Sequence, residues 1–123
     1  MSGDVIATVT LNTRPDLDFW NPDTDGPALY LYKLLLAREY GGQGIGSDIC
    51  DWSVDQAARR GLPWLRLDVW RTNTGLQRYY LDQGFDHMRT KEVEGRDSGA
   101  CFQRRAEPTP VPQIITAGVT IAE

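Results

Sequence analysis

Leu34-Leu35-Leu36-Ala37-Arg38-Glu39-Tyr40-Gly41-Gly42-Gln43-Gly44-Ile45-Gly46-Ser47 is the stretch that decides the fold. An apolar run ends, four glycines fall within six residues, and a helical pattern begins at once. Glycine lets the backbone approach a bound group closely and take up positive φ. A helix starting there directs unpaired N–H groups and the positive end of its dipole into the turn. Strand, glycine turn and helix N-terminus together form a natural seat for a phosphate or pyrophosphate.

Working outward, Ser47 to Arg60 reads as the helix. Ile49, Cys50, Val54, Ala57 and Ala58 make one apolar side with Trp52 at its edge, and Gly61 is the stop. Ala28 to Leu36 reads as a central strand before the glycines. Further upstream, Asp4 to Leu11 is short and β-branched and reads as a strand, followed by a long loop from Asn12 to Pro27 in which Phe19 and Trp20 serve as core anchors or, alternatively, as an exposed recognition pair. Downstream, Leu62 to Trp70 alternates as a strand, and Asn73 caps a short helix that carries Leu76, Tyr79 and Tyr80 and ends at Gly84. Phe85 to Val93 and Ala100 to Arg104 form a hairpin about Glu94–Gly99. The order is β-β-α-β-α-β-β, an α/β layered domain over residues 1–106. Residues 107–123 form a Pro-rich tail, extended or disordered, whose apolar end would add an edge strand or cover a partner chain, so a homodimer is one arrangement it allows.

At 123 residues and net charge −4, the chain is one ordinary globular domain. The charge disfavours general nucleic-acid or anionic-membrane binding. No apolar run is long enough for a membrane span, and the start lacks signal-peptide features, which leaves a cytoplasmic location as the expectation. Cys50 and Cys101 are far apart, and His87 is the only histidine. A buried, reduced thiol at Cys50 and no metal site are expected.

Three glycine-rich readings compete. A P-loop needs a lysine after its last glycine, and Gly46 is followed by Ser47. A dinucleotide fingerprint needs G-x-G-x-x-G/A, and the spacing here fails, although Asp68 stands near the place of its acidic residue. The third reading fits best. Tyr40-Gly41-Gly42-Gln43-Gly44-Ile45-Gly46 resembles the Q/R-x-x-G-x-G/A motif of the GCN5-related N-acetyltransferases (GNAT superfamily). Asn73-Thr74-Gly75-Leu76-Gln77-Arg78-Tyr79-Tyr80-Leu81-Asp82-Gln83-Gly84-Phe85 resembles that family's N-x-x-A/L-x-x-x-Y-x-x-x-G-F segment. Gly41 stands where the family has Gln or Arg, and the family's usual first strand and two helices have no counterpart before Asp4, so the domain reads as N-terminally truncated.

The resemblance implies a mixed, largely antiparallel GNAT-like sheet flanked by helices. It also implies an acetyl-CoA-dependent N-acetyltransferase moving acetyl directly to a primary amine of a small molecule or peptide, without an acyl-enzyme. Leu34, Leu35 and Leu36 would hold the pantetheine arm where the central strand splays from its neighbour. Gly41, Gly42, Gln43, Gly44, Ile45, Gly46 and Ser47 would hold the pyrophosphate, and Asn73 would bond the arm. Tyr80 would protonate the leaving thiolate; a phenol near 10 can serve a thiol near 8.5. Tyr79, about 100° around the helix, cannot face the thiol equally. Asp68 and Glu39 are candidate bases for the amine, and Asp68 is equally placed to pair with Arg66 or Arg71. The other function considered is a truncated CoA-binding or interaction module without transfer activity; an NAD-type oxidoreductase is a third.

Overall fold

The computed structural model describes residues 7–36, 45–110 and 119–120. The side chains of residues 7, 8, 33–36, 45, 119 and 120 lie outside that description, as do Gly41, Gly42, Gln43 and Gly44 of the expected pyrophosphate turn and the candidate base Glu39. Elements run β1 (Ala7–Asn12), α1 (Pro22–Asp25), β2 (Leu29–Leu36), α2 (Ile45–Arg59), β3 (Trp64–Trp70), α3 (Thr74–Asp82), β4 (Asp86–Thr90), β5 (Ser98–Arg105) and β6 (Val119–Thr120). They build one six-stranded sheet in the order β4-β5-β3-β2-β1-β6. The pairs β1–β2, β3–β5 and β4–β5 are antiparallel, and β2–β3 and β1–β6 are parallel. The expected mixed, largely antiparallel α/β architecture is therefore present.

One face of the sheet packs on α2 and α3. Leu29 and Leu31 of β2 and Leu65, Leu67 and Val69 of β3 meet Ile49, Cys50, Val54, Ala57 and Tyr80 in a dry cluster. α2 starts two residues earlier than its periodicity suggests, so Ile45, Gly46 and Ser47 belong to its first turn. Gly46 has a packing reason: a Cβ there would lie 2.6 Å from the Tyr79 hydroxyl oxygen. This contact seats α3 against the first turn of α2.

The other face is covered by the segment expected to be loop. Phe19 and Trp20 are 1% and 2% exposed and pack with Ala28, Tyr30 and Cys101. The segment is not wholly irregular. Asn21 caps the short α1, its side chain accepting from the Asp23 N–H, and Pro22 opens the helix. Under this cover Arg66, which alternation alone places on a polar face, is 2% exposed. Burying a guanidinium demands that its donors be met. Nε donates to Gln103 Oε1 at 3.0 Å, Nη1 to the Gly26 carbonyl at 2.9 Å and to the Tyr30 hydroxyl at 3.2 Å, and Nη2 to the Asp25 carbonyl. The indole of Trp20 lies 5.1 Å from its Cζ.

The tail also contributes. Val119 and Thr120 pair with Ala7 and Thr8 as an edge strand, and the Thr109 N–H donates to Asp55 on α2 at 3.0 Å. Among the described residues no helix is long and apolar enough to cross a membrane.

Candidate active site

The site begins with a parting of strands. β2 and β3 pair only at Leu29↔Leu65 and Tyr30↔Arg66. Beyond that, β2 follows β1 to the end, with Ala7 opposite Leu36, while β3 follows β5 through Trp70. From Leu31 onward the β2 edge facing β3 is thus released from the ladder, and Leu34, Leu35 and Leu36 carry backbone groups along it. Unpaired backbone donors and acceptors require partners, here water or a ligand.

The opening holds a cavity of about 490 Å³, a size suited to a small-molecule or cofactor arm. Leu31, Leu67, Val69, Leu76 and Tyr80 line its helix-facing side; Tyr32, Asp68, Trp70 and Ser98 line the other. Strand alternation explains the division, since Leu67 and Val69 face α2 and α3 whereas Asp68 and Trp70 face the opposite way. The cavity therefore runs between the two faces of the sheet.

Three residues singled out from sequence meet in this cavity. Tyr80 is 5% exposed and locked edge-to-face between Tyr79 and Phe85, with ring centroids 5.4 Å away on each side. Burial raises its phenol above the ordinary range, so the hydroxyl keeps its proton throughout neutral and mildly alkaline pH. Asn73 caps α3, its Oδ1 accepting from the Leu76 N–H at 3.0 Å, which leaves the Nδ2 hydrogens as donors. Asp68 pairs with neither Arg66 nor Arg71. The Arg66 donors are taken by Gln103, Gly26, Tyr30 and Asp25, while Arg71 donates to the Arg96 carbonyl at 3.1 Å. Ser98 Oγ instead donates to Asp68 Oδ1. Burial is the largest influence on this carboxyl and raises its pKa; the Ser98 hydrogen bond opposes the shift, and Asp16 adds to it.

Ser98 reaches Asp68 because of a bulge. Val69 is opposite Ala100, but Trp70 is opposite Ser98, so Gly99 is the extra residue. Its φ is +142°, and a Cβ there would fall 2.0 Å from the Lys91 carbonyl oxygen. Without the bulge Ser98 would shift by one position and point to the other face. Ser98, Tyr32 and Trp70 were not singled out from sequence as cavity residues. The Ser98-Gly99 dipeptide at the head of β5 is the one local signal that could have drawn notice.

The cysteines stand apart from this chemistry. Burial pushes both the Cys50 and Cys101 thiols up to about 12, so neither supplies a thiolate near neutrality. Among the described residues no group of His, Cys, Asp and Glu is placed to hold a metal ion.

Residues 1–85 match the model of the Acetyltransferase (GNAT) family. The chain belongs to that family. Among curated proteins it is similar to the uncharacterized N-acetyltransferase YesJ of Bacillus subtilis (strain 168), 26% identical over 88 residues that make up 69% of this chain and 49% of the relative. The chain thus spans about half the length of that relative. Among solved structures it superposes on a GNAT-family acetyltransferase from Listeria monocytogenes 4b F2365 with a TM-score of 0.63 at 20% identity, over 79% of this chain and 55% of that one. It also superposes on a chain of the NatC complex bound to Gag peptide and CoA, with a TM-score of 0.57 at 16% identity, over 77% and 57% of the two chains. At such identities the structural likeness speaks for the GNAT fold.

Proposed function

We propose that this GNAT domain transfers the acetyl group of acetyl-CoA directly to an amine in the cavity between β2 and β3. The observation that carries the reading is that this one cavity has the Tyr80 phenol on its helix-facing side and the Asp68 carboxyl on the other, beside the released backbone edge of β2.

In this reading the pantetheine arm lies along Leu34–Leu36, bonded to that edge and to Asn73. The diphosphate lies against the glycine turn Gly41–Gly44 and the first N–H groups of α2 at Ile45, Gly46 and Ser47, where the helix dipole favours an anion. The acceptor enters from the Asp68 side. An ammonium has no lone pair, so Asp68, directly or through water, takes its proton. The free amine attacks the thioester carbonyl carbon, and a backbone N–H near Leu36 stabilises the charge that builds on the carbonyl oxygen. The C–S bond then breaks, the sulfur takes the Tyr80 hydroxyl proton, and the nitrogen's remaining extra proton passes through solvent to restore the phenol. Burial disfavours a thiolate as it does a phenolate, so the two groups shift together and the proton transfer remains feasible. Holding thioester and amine in one cavity supplies the high effective concentration that direct transfer needs.

The test is thiol release from acetyl-CoA with a panel of amines. Tyr80→Phe is expected to lower kcat by about 10²-fold, the usual worth of a positioned acid, with the Kd for CoA changed less than about twofold. Equal turnover by the variant would remove Tyr80 from the mechanism. Thermal stabilisation by CoA with no turnover on any amine would instead indicate a CoA-binding module without transfer activity.

A further inference from the structure

We propose that the loop-facing side of the cavity is an acceptor subsite selective for a primary amine carried on a bulky apolar body, with no carboxylate beside the amine. The inference rests on the acetyl-transfer reading and gives its acceptor a chemical class.

Three features support it. First, the polar group at the centre of this side is a carboxyl. Asp68 uses one oxygen for Ser98, and its other oxygen has no hydrogen-bond partner among the described residues. An arriving ammonium would meet that oxygen, whereas a carboxylate there would meet like charge. Second, the nearby guanidinium groups, Arg96 of the adjoining hairpin and Arg71 just after β3, are directed to partners outside the cavity. Arg96 donates to Asp16 and to Asp18, each at 2.8 Å, with its Cζ 4.5 Å from the Phe19 ring centre. Arg71 donates through Nη2 to the Arg96 carbonyl and lies 3.7 Å from Glu92, while its buried Nε has no hydrogen-bond partner among the described residues. Neither lines the cavity among the described residues. Third, the mouth is aromatic. Trp70 is 58% and Tyr32 39% exposed, yet each follows a buried residue, Val69 and Leu31. The Tyr32 hydroxyl donates to the Arg14 carbonyl, which fixes its ring beside the opening. An exposed indole next to a carboxylate suits an amine twice over, through apolar contact with the body and cation–π attraction to the ammonium.

The experiment compares phenethylamine, phenylalanine and ethylamine, which differ by one carboxylate or one ring, by turnover and by calorimetric binding to the CoA-loaded protein. Phenethylamine should exceed each of the others by about tenfold or more in kcat/KM and in affinity. Trp70→Ala should collapse the phenethylamine-to-ethylamine ratio through KM. Asp68→Asn, read by calorimetry, should collapse the phenethylamine-to-phenylalanine ratio. Turnover without these preferences, or a preference for phenylalanine, overturns the subsite and leaves acetyl transfer standing. Selective binding without turnover supports the subsite and overturns acetyl transfer. If none of the three binds or reacts, the subsite is overturned.

Discussion

Asp68 carries two consequences that can be separated by pH. Its folded-state pKa lies above the ordinary 3.8, chiefly because it is half-buried. A raised carboxyl favours its neutral form in the fold, so its contribution to stability is fully present below the unfolded value and is lost as pH rises through the folded one. Near neutrality the ionised group therefore costs the protein stability. Asn keeps an Oδ1 that accepts from Ser98 and mimics the neutral state at every pH. Asp68→Asn is expected to raise Tm at pH 7 by on the order of 1–3 °C, a value discounted for the solvent that reaches the group. The gain should shrink as pH falls toward 4, while turnover is lost. A Tm at pH 7 equal to or below that of the parent would show that burial does not strain this carboxyl. The Tyr80 phenol is raised by the same cause, and for a proton donor that is an advantage, since the proton is in place across the working range.

At the scale of elements, the bulge in β5 connects fold to site. Gly99 takes a φ of +142°, and its Cα faces the Lys91 carbonyl so closely that a Cβ would fall 2.0 Å from the oxygen. Lys91 also donates its N–H to the Gly99 carbonyl at 2.9 Å, so the two backbones cannot separate without losing that bond. Gly99→Ala is expected to cost about 2 kcal/mol or more in urea unfolding, the sum of left-handed strain and a backbone clash. Ser98→Ala should cost less, about 1 kcal/mol, the usual net worth of the single hydrogen bond to Asp68 that it removes. An alanine at position 99 that unfolds with the parent's midpoint would mean that the bulge is not required. This bulge also shows where the sequence stops being legible. Apolar alternation and a cap residue locate these strands and this helix, and the resemblance carried by the paired motifs implies both the parting of β2 from its neighbour and the placing of Asn73 and Tyr80 at one site. The Ser98–Asp68 contact could not be expected, because one extra residue decides which face Ser98 occupies. α1 was hidden for another reason: four residues are too few for helical periodicity, and only the Asn21-Pro22 cap signal marks them.

Across the whole molecule, both faces of the sheet are covered although α2 and α3 lie on only one. α2 and α3 close the first; the segment from Phe19 to Ala28, with Arg66 bonded beneath it, closes the second. Pairing at this scale joins residues distant in sequence, which is why a polar strand position such as Arg66 proves buried. The C-terminal segment adds two further attachments, β6 on β1 and the Thr109 N–H on Asp55. Asp55 is 2% exposed and is held below the ordinary carboxylate range by Arg59, whose Nε lies 2.6 Å away, and then by Thr109. A depressed carboxyl contributes stability that is present above its unfolded value and lost as pH falls through the folded one. Two truncations isolate the Thr109 attachment, since both remove β6 and only one removes Thr109. Deleting residues 107–123 is expected to cost about 1 kcal/mol more in urea unfolding at pH 7 than deleting residues 110–123, the usual net worth of one hydrogen bond. The difference should fade below pH 3.8, where Asp55 has begun to lose its advantage over the unfolded chain. Matching midpoints for the two truncations at pH 7 would show that the Thr109 hydrogen bond to Asp55 does not tie the tail to α2.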